Sequence, residues 1–303
     1  MKKNIIFLIL VVFSTLVWSC EEVIDIDVKN GEEQLVVDAW LTNITDNQSV
    51  TLTLSQPYFD NSTPKPALGA TVSVFDEDST RFEFTDTNND GIYVYNPVDK
   101  QPIFKKINTQ YALYVKYNNE EYYSISKFLR VPKIDSVSYE AFTFPIAPND
   151  STPKSGFIAQ FYGRDFDGLN DTYWIRYYKN GKRNKKPSAI SVAYDAGFSP
   201  GSKSDGLQFI LPIRQSINDG LYQDKDSVKV ELYSITNEAY YFLLQIRQES
   251  SNAGIFATPA ANIPSNLVNL NPTSKKKALG FFSVSNVSSY SFVIYKEKAK
   301  PER

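Results

Sequence analysis

The feature that most constrains the fold of this chain is an alternation of side chains that repeats every two residues. In a strand, successive side chains point to opposite faces, so this period is typical of half-buried β-strands. Clusters rich in Asn, Asp, Gly and Pro separate the alternating runs and indicate turns. Seven such strands within about a hundred residues predict a β-sandwich. The runs are residues 34–41, 50–54, 71–75, 81–84, 92–95, 111–117 and 122–125.

The second half of the chain continues the strand pattern and interrupts it once. From Thr236 onward, apolar residues recur at the spacing of one helical face, and Thr236 is a suitable N-cap. We predict an amphipathic helix near residues 236–250 that covers a sheet, with Ala239 and Leu243 on its apolar face. The polar stretch at residues 252–277 predicts a long loop, either functional or disordered. The predicted strands are residues 156–162, 172–178, 189–192, 207–210, 228–233, 279–283 and 290–295.

The length of the chain, 303 residues, favours two domains. The strand pattern breaks at residues 130–132, because a proline and the residue before it continue a strand poorly. We predict a mainly β fold with an N-terminal Ig-like β-sandwich at residues 33–132. A second β-rich domain, which carries the helix, follows at residues 133–303.

The composition excludes several classes of enzyme. The chain has no histidine and a single cysteine. Without an imidazole there is no Ser-His-Asp or Cys-His nucleophile, no histidine general base and no His-ligated catalytic zinc. We predict no enzymatic activity and no cofactor, with a glycan-active enzyme that needs only two carboxylates as the alternative. The formal net charge of −2 gives no basis for a nucleic-acid partner.

The N-terminal segment has the features of an export signal. Two lysines precede a mostly apolar run at residues 4–18, which is too short to span a bilayer. The segment that ends at Cys20 resembles a bacterial lipobox. We predict a lipoprotein signal peptide at residues 1–19, lipidation of Cys20 and an acidic tether at residues 20–32, so that the protein is anchored to a membrane without crossing it. The alternative is an ordinary signal peptide and an unmodified cysteine.

Asp86, Asn88 and Asp90 form a first candidate calcium site. They occupy positions 1, 3 and 5 of an EF-hand-type loop, with Gly91 at position 6. The last position, which should hold a bidentate Glu, is Pro97. The same residues also suit a tight β-hairpin, and the sequence favours that turn.

Asp165 and Asp167 belong to a second candidate calcium site. The segment at residues 165–171 contains three carboxylates and an amide, which are hard oxygen donors of the kind that bind Ca²⁺. Asp-Gly and Asn-Asp pairs are also ordinary turn residues, so a plain turn is the favoured alternative.

Two further segments are candidate binding surfaces. Residues 179–186 carry five cations around an Asn-Gly pair, which predicts a basic hairpin that is solvated or meets phosphates or an acidic partner. Tyrosines occur on both alternating faces of residues 111–123, so not all of them can be core residues. Exposed tyrosines can stack on sugars or anchor a protein interface.

Two resemblances to known families follow from these residues. The segments 69–76, 90–93 and 111–115 resemble the prealbumin-like, carboxypeptidase-regulatory type of sandwich, whose members act as scaffolds or spacers. The whole chain after Cys20 resembles the Bacteroidota lipoproteins that contain domain of unknown function 4249. The residues that carry this second resemblance are 20–27, 35–43, 50–59, 69–72, 131–136, 240–243 and 278–283.

The second resemblance implies an outer-membrane lipoprotein, exposed on the cell surface and often encoded beside TonB-dependent receptors, with no established reaction. We therefore expect a lipid-anchored binding protein that is accessory to a TonB-dependent receptor in nutrient uptake. Its expected partners are the membrane, such a receptor and a glycan or peptide ligand. The alternative is a structural or adhesive surface lipoprotein. The sequence alone identifies no binding residues.

Overall fold

The computed structural model of the chain describes residues 31–57, 60, 62–97, 101–146, 153–252 and 261–302. The predicted signal peptide, Cys20 and most of the predicted tether lie outside the described residues. Within the described ranges the protein is mainly β, as predicted, and none of the helices there has the length and apolar character needed to cross a membrane. The elements are β1 Leu35–Thr42, β2 Gln48–Leu54, β3 Thr71–Phe75, β4 Arg81–Phe84, β5 Ile92–Tyr95, β6 Gln110–Tyr117, β7 Glu120–Lys127, β8 Ile134–Thr143, β9 Ser155–Gly163, β10 Thr172–Lys179, β11 Lys182–Arg183, β12 Ser191–Tyr194, α1 Leu211–Arg214, β13 Ser227–Ile235, α2 Asn237–Ser250, β14 Val268–Asn269, β15 Ala278–Ser285 and β16 Val287–Val293.

Strands β1 to β7 form the predicted Ig-like sandwich. β1, β2 and β5 lie side by side in one sheet, and β4, β3, β6 and β7 lie in the other. Apolar side chains from both sheets meet in one core, in which Val37, Leu52, Val74 and Leu113 are fully buried. The predicted period of two is therefore the signature of one face packed against the opposite sheet.

The alternation along β1 gives its two faces different roles. Val37 and Ala39 point into the sandwich core and are fully buried, whereas Asp38 and Trp40 lie on the opposite face. That outer face is turned toward the second half of the chain, where Trp40 contacts Trp174 of β10.

β15 joins the sandwich from the far end of the chain. It pairs in parallel with β1, from Leu35 opposite Ala278 to Thr42 opposite Ser285, and Phe282 is fully buried in the sandwich core. The short strand β14 extends the other sheet beside β7. The sequence predicts residues 279–283 as a strand and residues 268–269 as part of a loop, and it gives no partner for either. In the structure both pair with strands of the sandwich, because an apolar strand packs where its buried face finds a partner. The boundary between residues 132 and 133 itself stays a prediction.

The second half of the chain builds its own core. β10 lies between β11 and β13, β13 pairs with β16, and β12 also pairs with β10. The two-stranded sheet of β8 and β9 packs on one face of this larger sheet. Phe161, Tyr173, Ile175, Val230 and Leu232 are buried between the two sheets.

The predicted helix is confirmed as α2. The hydroxyl of its N-cap Thr236 accepts a hydrogen bond from the amide of Ala239. Ala239, Tyr240 and Leu243 are buried against the face of the second sheet that is opposite to the β8–β9 side.

The described part of the predicted loop at residues 252–277 packs against the sandwich. β14 pairs with β7, with Asn269 opposite Tyr122. The carboxylate of Glu120 accepts hydrogen bonds from the Asn269 side-chain amide at 2.9 Å and from the Ser274 hydroxyl at 2.8 Å. Residues 253–260 lie outside the described ranges.

Gly280 makes the pairing of β1 with β15 possible, and this leads to a first prediction. Its φ is +92°, and a Cβ added there would lie 1.9 Å from the carbonyl oxygen of Val37. We expect Gly280→Ala to lower the free energy of unfolding by about 3–5 kcal/mol, because it adds both backbone strain and a clash with β1. Urea denaturation followed by circular dichroism measures the change.

Gly201→Ala is the matched control. Gly201 has a similar φ of +78°, but the space around it is open. We expect Gly201→Ala to lower the free energy of unfolding by about 1–2 kcal/mol, because it adds only backbone strain. Equal losses for the two variants would contradict the close approach of β15 to β1.

Candidate binding cleft

The outward face of the second sheet presents aromatic and charged side chains together. Side chains two residues apart on a strand share a face, so these residues lie on the side opposite to Tyr173 and Leu232. They form three cross-strand pairs between β10 and β13: Trp174 with Tyr233, Arg176 with Glu231, and Tyr178 with Lys229.

The guanidinium of Arg176 lies over two aromatic rings. Its central carbon is 4.8 Å from the ring centroid of Trp174 and 4.7 Å from that of Tyr233. Cation–π contacts of this kind contribute about 0.5–2 kcal/mol each. Among the residues that the structure describes, Arg176 forms no ion pair, and its buried Nε has no hydrogen-bond partner. The rings therefore hold a planar cation whose donors are not satisfied by these neighbours.

Glu231 lies opposite Arg176 in the strand register but is bound by other residues. Only 2% of its side chain is exposed. It accepts a hydrogen bond from the Tyr233 hydroxyl at 2.7 Å and pairs with the Nζ of Lys229 at 2.7 Å. The hydrogen bond to Glu231 raises the pKa of Lys229, and the charges of Glu231 and Asp46 act in the same direction. The charge of Lys229 is therefore compensated inside the protein.

Trp40 forms the facing wall on the sandwich side. Its ring stacks on Phe281 of β15 with centroids 5.6 Å apart and meets Trp174 edge-on at 5.0 Å. Phe242 of α2 also contacts Trp40 and Phe281. This aromatic cluster joins the sandwich to the second sheet and closes one end of the space between them.

Gln48 holds the corner between β1 and β2 in place. It is almost fully buried. Its Oε1 accepts the backbone amide of Thr42 at 2.8 Å, and its Nε2 donates to the carbonyls of Ile44 and Asp46 at 2.9 and 3.0 Å. A side chain bonded to three backbone groups gives this corner a defined shape.

These walls enclose an open space of about 710 Å³, which we term the central cleft. Ligand pockets commonly measure about 300–1,000 Å³ and often lie between packed units of a protein. The cleft combines aromatic rings, charges of both signs and small polar side chains. Trp40, Gln48, Arg176, Tyr178, Lys229 and Tyr233 define it.

The sequence analysis did not select the residues of the central cleft. The available signal was the alternation Trp174-x-Arg176-x-Tyr178 and Lys229-x-Glu231-x-Tyr233 within predicted strands, which places each set on one face. The missing information was the pairing of those strands and their position opposite Trp40.

The structure brings Asp165 together with two carboxylates that the sequence analysis did not select. One oxygen from each of Asp165, Asp195 and Asp205 lies within 4.8 Å of the others. Asp165 and Asp195 are buried. Asp167 is outside this group, and its carboxylate lies beside Gly206.

These carboxylates also accept hydrogen bonds that hold the surrounding loops in place. Asp195 accepts the backbone amides of Asn170 and Asp171 at 2.9 and 3.1 Å. Asp165 accepts the hydroxyl of the buried Tyr173 at 2.5 Å. These contacts fit the turn interpretation, and the calcium interpretation of Asp165 and its neighbours stays a prediction.

The pKa values of two carboxylates in this cluster, Asp165 and Asp195, are raised. Burial raises the pKa of Asp165 to about 6; the hydrogen bond from Tyr173 opposes this shift, and the negative charges of Asp171 and Asp195 add to it. Burial likewise raises the pKa of Asp195. Carboxylates in this arrangement are stabilised by a proton or by a cation.

Asp86 and Asp90 of the first candidate calcium site hold a tight turn. The Asp86 carboxylate accepts the backbone amides of Asp90 and Gly91 at 3.2 and 2.9 Å, and Asp90 accepts the amide of Ile92 at 3.0 Å. Asn88 lies in the same turn and is exposed. The described contacts fit a tight turn, but the turn leads from β4 in one sheet to β5 in the other and is not a hairpin within one sheet. The calcium interpretation of these residues stays a prediction.

The basic run at residues 179–186 forms a hairpin between β10 and β11. Asn180 and Gly181 both have positive φ, 51° and 75°, as a type I′ turn requires. Lys179 at its start is turned inward, where its Nζ pairs with Asp226 at 3.0 Å. The predicted phosphate or acidic partner of the remaining cations stays a prediction.

The tyrosines of β6 and β7 divide between the two faces as expected. Tyr111 and Tyr122 are buried in the sandwich core. Tyr114 and Tyr123 lie opposite each other on the outer face and are half-buried. They lie outside the central cleft.

Comparisons with known proteins give a family and no activity. Residues 21–291 match the family model described as "Domain of unknown function (DUF4249)". No curated protein sequence is detectably similar to this chain. Among solved structures, a segment of two fibronectin type III domains from chicken tenascin covers 67% of this chain and 90% of its own length, with 10% identity and a TM-score of 0.19. A likeness of this size carries no argument, and the sandwich assignment rests on the strand pairing described above.

The raised pKa of Asp165 predicts a pH-dependent stability. The folded state holds the proton more tightly than the unfolded state, where the pKa is about 3.9, so stability is greatest below pH 4 for this group and falls as the pH rises to about 6. The loss is at most about 3 kcal/mol. We expect Asp165→Asn, which keeps an acceptor for Tyr173, to remove this part of the decline between pH 4 and pH 7. Urea denaturation in EDTA at each pH measures it.

A comparison of the wild type with Asp165→Asn also distinguishes a calcium site from a plain turn. If calcium binds, Ca²⁺ at about 1 mM and pH 7 raises the melting temperature of the wild type and not that of Asp165→Asn. If the residues only form turns, Ca²⁺ changes neither. If the free energy of unfolding of the two proteins changed with pH in the same way in EDTA, the raised pKa of Asp165 would be contradicted.

Proposed function

The chain belongs to the family described as "Domain of unknown function (DUF4249)", and we propose that it is a binding protein of the cell envelope that takes up a ligand in the central cleft. The observation that carries this proposal is Arg176, a cation that lies over two aromatic rings at the wall of an open cleft and forms no ion pair among the described residues. A ligand in the cleft can supply the missing anionic acceptor.

The construction of the cleft supports binding by a preformed site. Its walls lie on paired strands and on a corner that Gln48 holds. Trp40 and Tyr233 are fixed by other aromatic rings. A site on rigid elements loses little conformational entropy when it takes up a ligand.

The proposed location follows from the N-terminal sequence. Cleavage before Cys20 and its acylation would hold the protein on the outer membrane, at the cell surface, through the tether at residues 20–32. The binding site would then serve as an accessory to a TonB-dependent receptor in nutrient uptake. Neither Cys20 nor most of the tether is among the described residues.

The absence of histidine and the state of Glu231 support binding without catalysis. Glu231 and Asp46 are carboxylates of the cleft lining. A glycosidase needs one carboxyl group that donates a proton and a second that acts on the sugar. Glu231 is already engaged by Lys229 and the Tyr233 hydroxyl, which leaves Asp46 without a free carboxylate partner in the lining.

Tryptophan fluorescence offers a direct test of binding in the cleft. The chain has three tryptophans, Trp18, Trp40 and Trp174; Trp40 lines the cleft, and Trp174 is in contact with Trp40. In the full chain with Trp18→Phe, we expect at least one member of a panel of neutral trisaccharides, acidic trisaccharides and tripeptides to change the emission. Tyr178→Ala should weaken that binding about tenfold by removing a ring of the wall.

Tyr290→Ala is the matched control. Tyr290 lies on β16 in the same sheet and is partly exposed, but it does not line the cleft. We expect the Tyr290→Ala variant to bind the ligand with the same affinity as the parent protein. Equal weakening by both substitutions, or no binding of any probe in fluorescence and calorimetry, would reject the central cleft as the binding site.

The anchor is tested separately. We expect mass spectrometry of the protein from its native membrane to show an N-terminal acylated Cys20, and Cys20→Ser to move the protein into the soluble fraction. Extraction in mild detergent should recover an outer-membrane barrel with the wild-type protein. An unacylated protein, or one that is strictly monomeric in that extract, would contradict the anchor or the receptor partner respectively.

A further inference from the structure

We infer that the ligand of the central cleft is an acidic oligosaccharide whose carboxylate binds the guanidinium of Arg176. This inference rests on the proposed binding function and names the chemistry of its ligand. Its basis is the distribution of charge and of hydrogen-bonding groups along the two walls of the cleft.

Arg176 is the cation of the cleft lining whose charge the protein leaves unpaired. Lys229, the other cation there, is paired with Glu231 at 2.7 Å. Burial raises the pKa of Asp38 on β1, and its hydrogen bond with Trp40 and the charge of Arg176 oppose this shift. Asp38 and Arg176 form no ion pair among the described contacts. The ligand should therefore bring the missing acceptor.

The geometry of Arg176 selects a planar monoanion. The contacts with Trp174 and Tyr233 hold the guanidinium near one position, with its central carbon 4.8 and 4.7 Å from the two ring centroids. A guanidinium presents parallel N–H groups that match the two oxygens of a carboxylate. A phosphate with two negative charges would require further unpaired cations, whereas Lys229 is compensated by Glu231 and Asp46.

The remaining lining fits a sugar. Tyr178 lines the cleft, and the C–H face of a sugar can stack on an aromatic ring of this kind. Small polar side chains lie between the charged groups and can both donate and accept hydrogen bonds, as sugar hydroxyls do. These side chains are Thr42, Asn47, Ser49, Ser227 and Ser291.

The size of the cleft supports a ligand of more than one sugar unit. A space of about 710 Å³ lies in the upper part of the usual range for ligand pockets. It reaches from the Gln48 corner to β16. One unit at Arg176 would place its neighbours beside the polar residues of either wall.

The test uses one sugar in two charge states. Trigalacturonic acid is the probe, and its fully methyl-esterified form is the matched neutral ligand. By isothermal titration calorimetry of the full chain at pH 7, we expect the acid to bind at least tenfold more tightly than the ester. Only the affinity for the acid should fall as the salt concentration is raised.

Substitution of Arg176 assigns the difference to one side chain. We expect Arg176→Gln to reduce the affinity for the acid at least tenfold and to leave the affinity for the ester nearly unchanged. Arg176→Lys should restore only part of the affinity, because an ammonium lacks the planar fork. Arg214→Gln is the control, since Arg214 also stacks on a ring, that of Tyr162, and has a buried Nε without a partner, but it does not line the cleft.

The outcomes separate this inference from the proposed function. If the ester and the acid bind equally and Tyr178→Ala weakens both, the cleft binds ligands but the carboxylate inference is wrong. If triglutamate binds in an Arg176-dependent way and the sugar acid does not, the ligand is an acidic peptide and the oligosaccharide inference is wrong. Binding of the acid that survives Arg176→Gln overturns the assigned role of Arg176.

Discussion

The parallel pairing of β1 with β15 is the contact on which the rest of the structure depends. β15 completes one sheet of the sandwich through Phe282 and, from its other face, supplies Phe281 to the cluster that contains Trp40 and Trp174. One strand therefore belongs to two cores. Close approach is possible because Gly280 has no side chain where the backbone of Val37 passes. Without this strand, the wall that carries Trp40 would lose its support.

The fold and the candidate site use opposite faces of the same strands. On β10, Tyr173 and Ile175 are core residues, while Arg176 and Tyr178, on the opposite face, line the cleft. Packing on one side thus fixes the position of the binding groups on the other, which explains why a cleft so rich in polar groups can keep a defined shape. The acidic cluster follows another principle, since Asp165 is tied to the core by Tyr173 but lies in loops beyond the strand ends.

Local patterns predicted most of the strands, and long-range pairing escaped them. The predicted strand at residues 207–210 is wrong, since only Gln208 forms an isolated bridge there, and β8 was not predicted. The period of two identified the strands of the sandwich, and the spacing of Ala239 and Leu243 identified α2. The pairing of β15 with β1 was not predicted, because nothing in the residues of β15 identifies β1 as its partner. For the same reason Asp165 was selected without Asp195 and Asp205, and Arg176 was not selected, since strands that are distant in the chain build the cleft. The anchor at Cys20, the receptor partner and the absence of catalysis stay predictions.

The position of β15 near the end of the chain has a consequence for biosynthesis. During translation the first sheet of the sandwich lacks one of its strands until residues 278–285 have left the ribosome. Completion of this sheet then requires residues 278–285 to reach residues 35–42, and contacts of such high sequence separation form slowly.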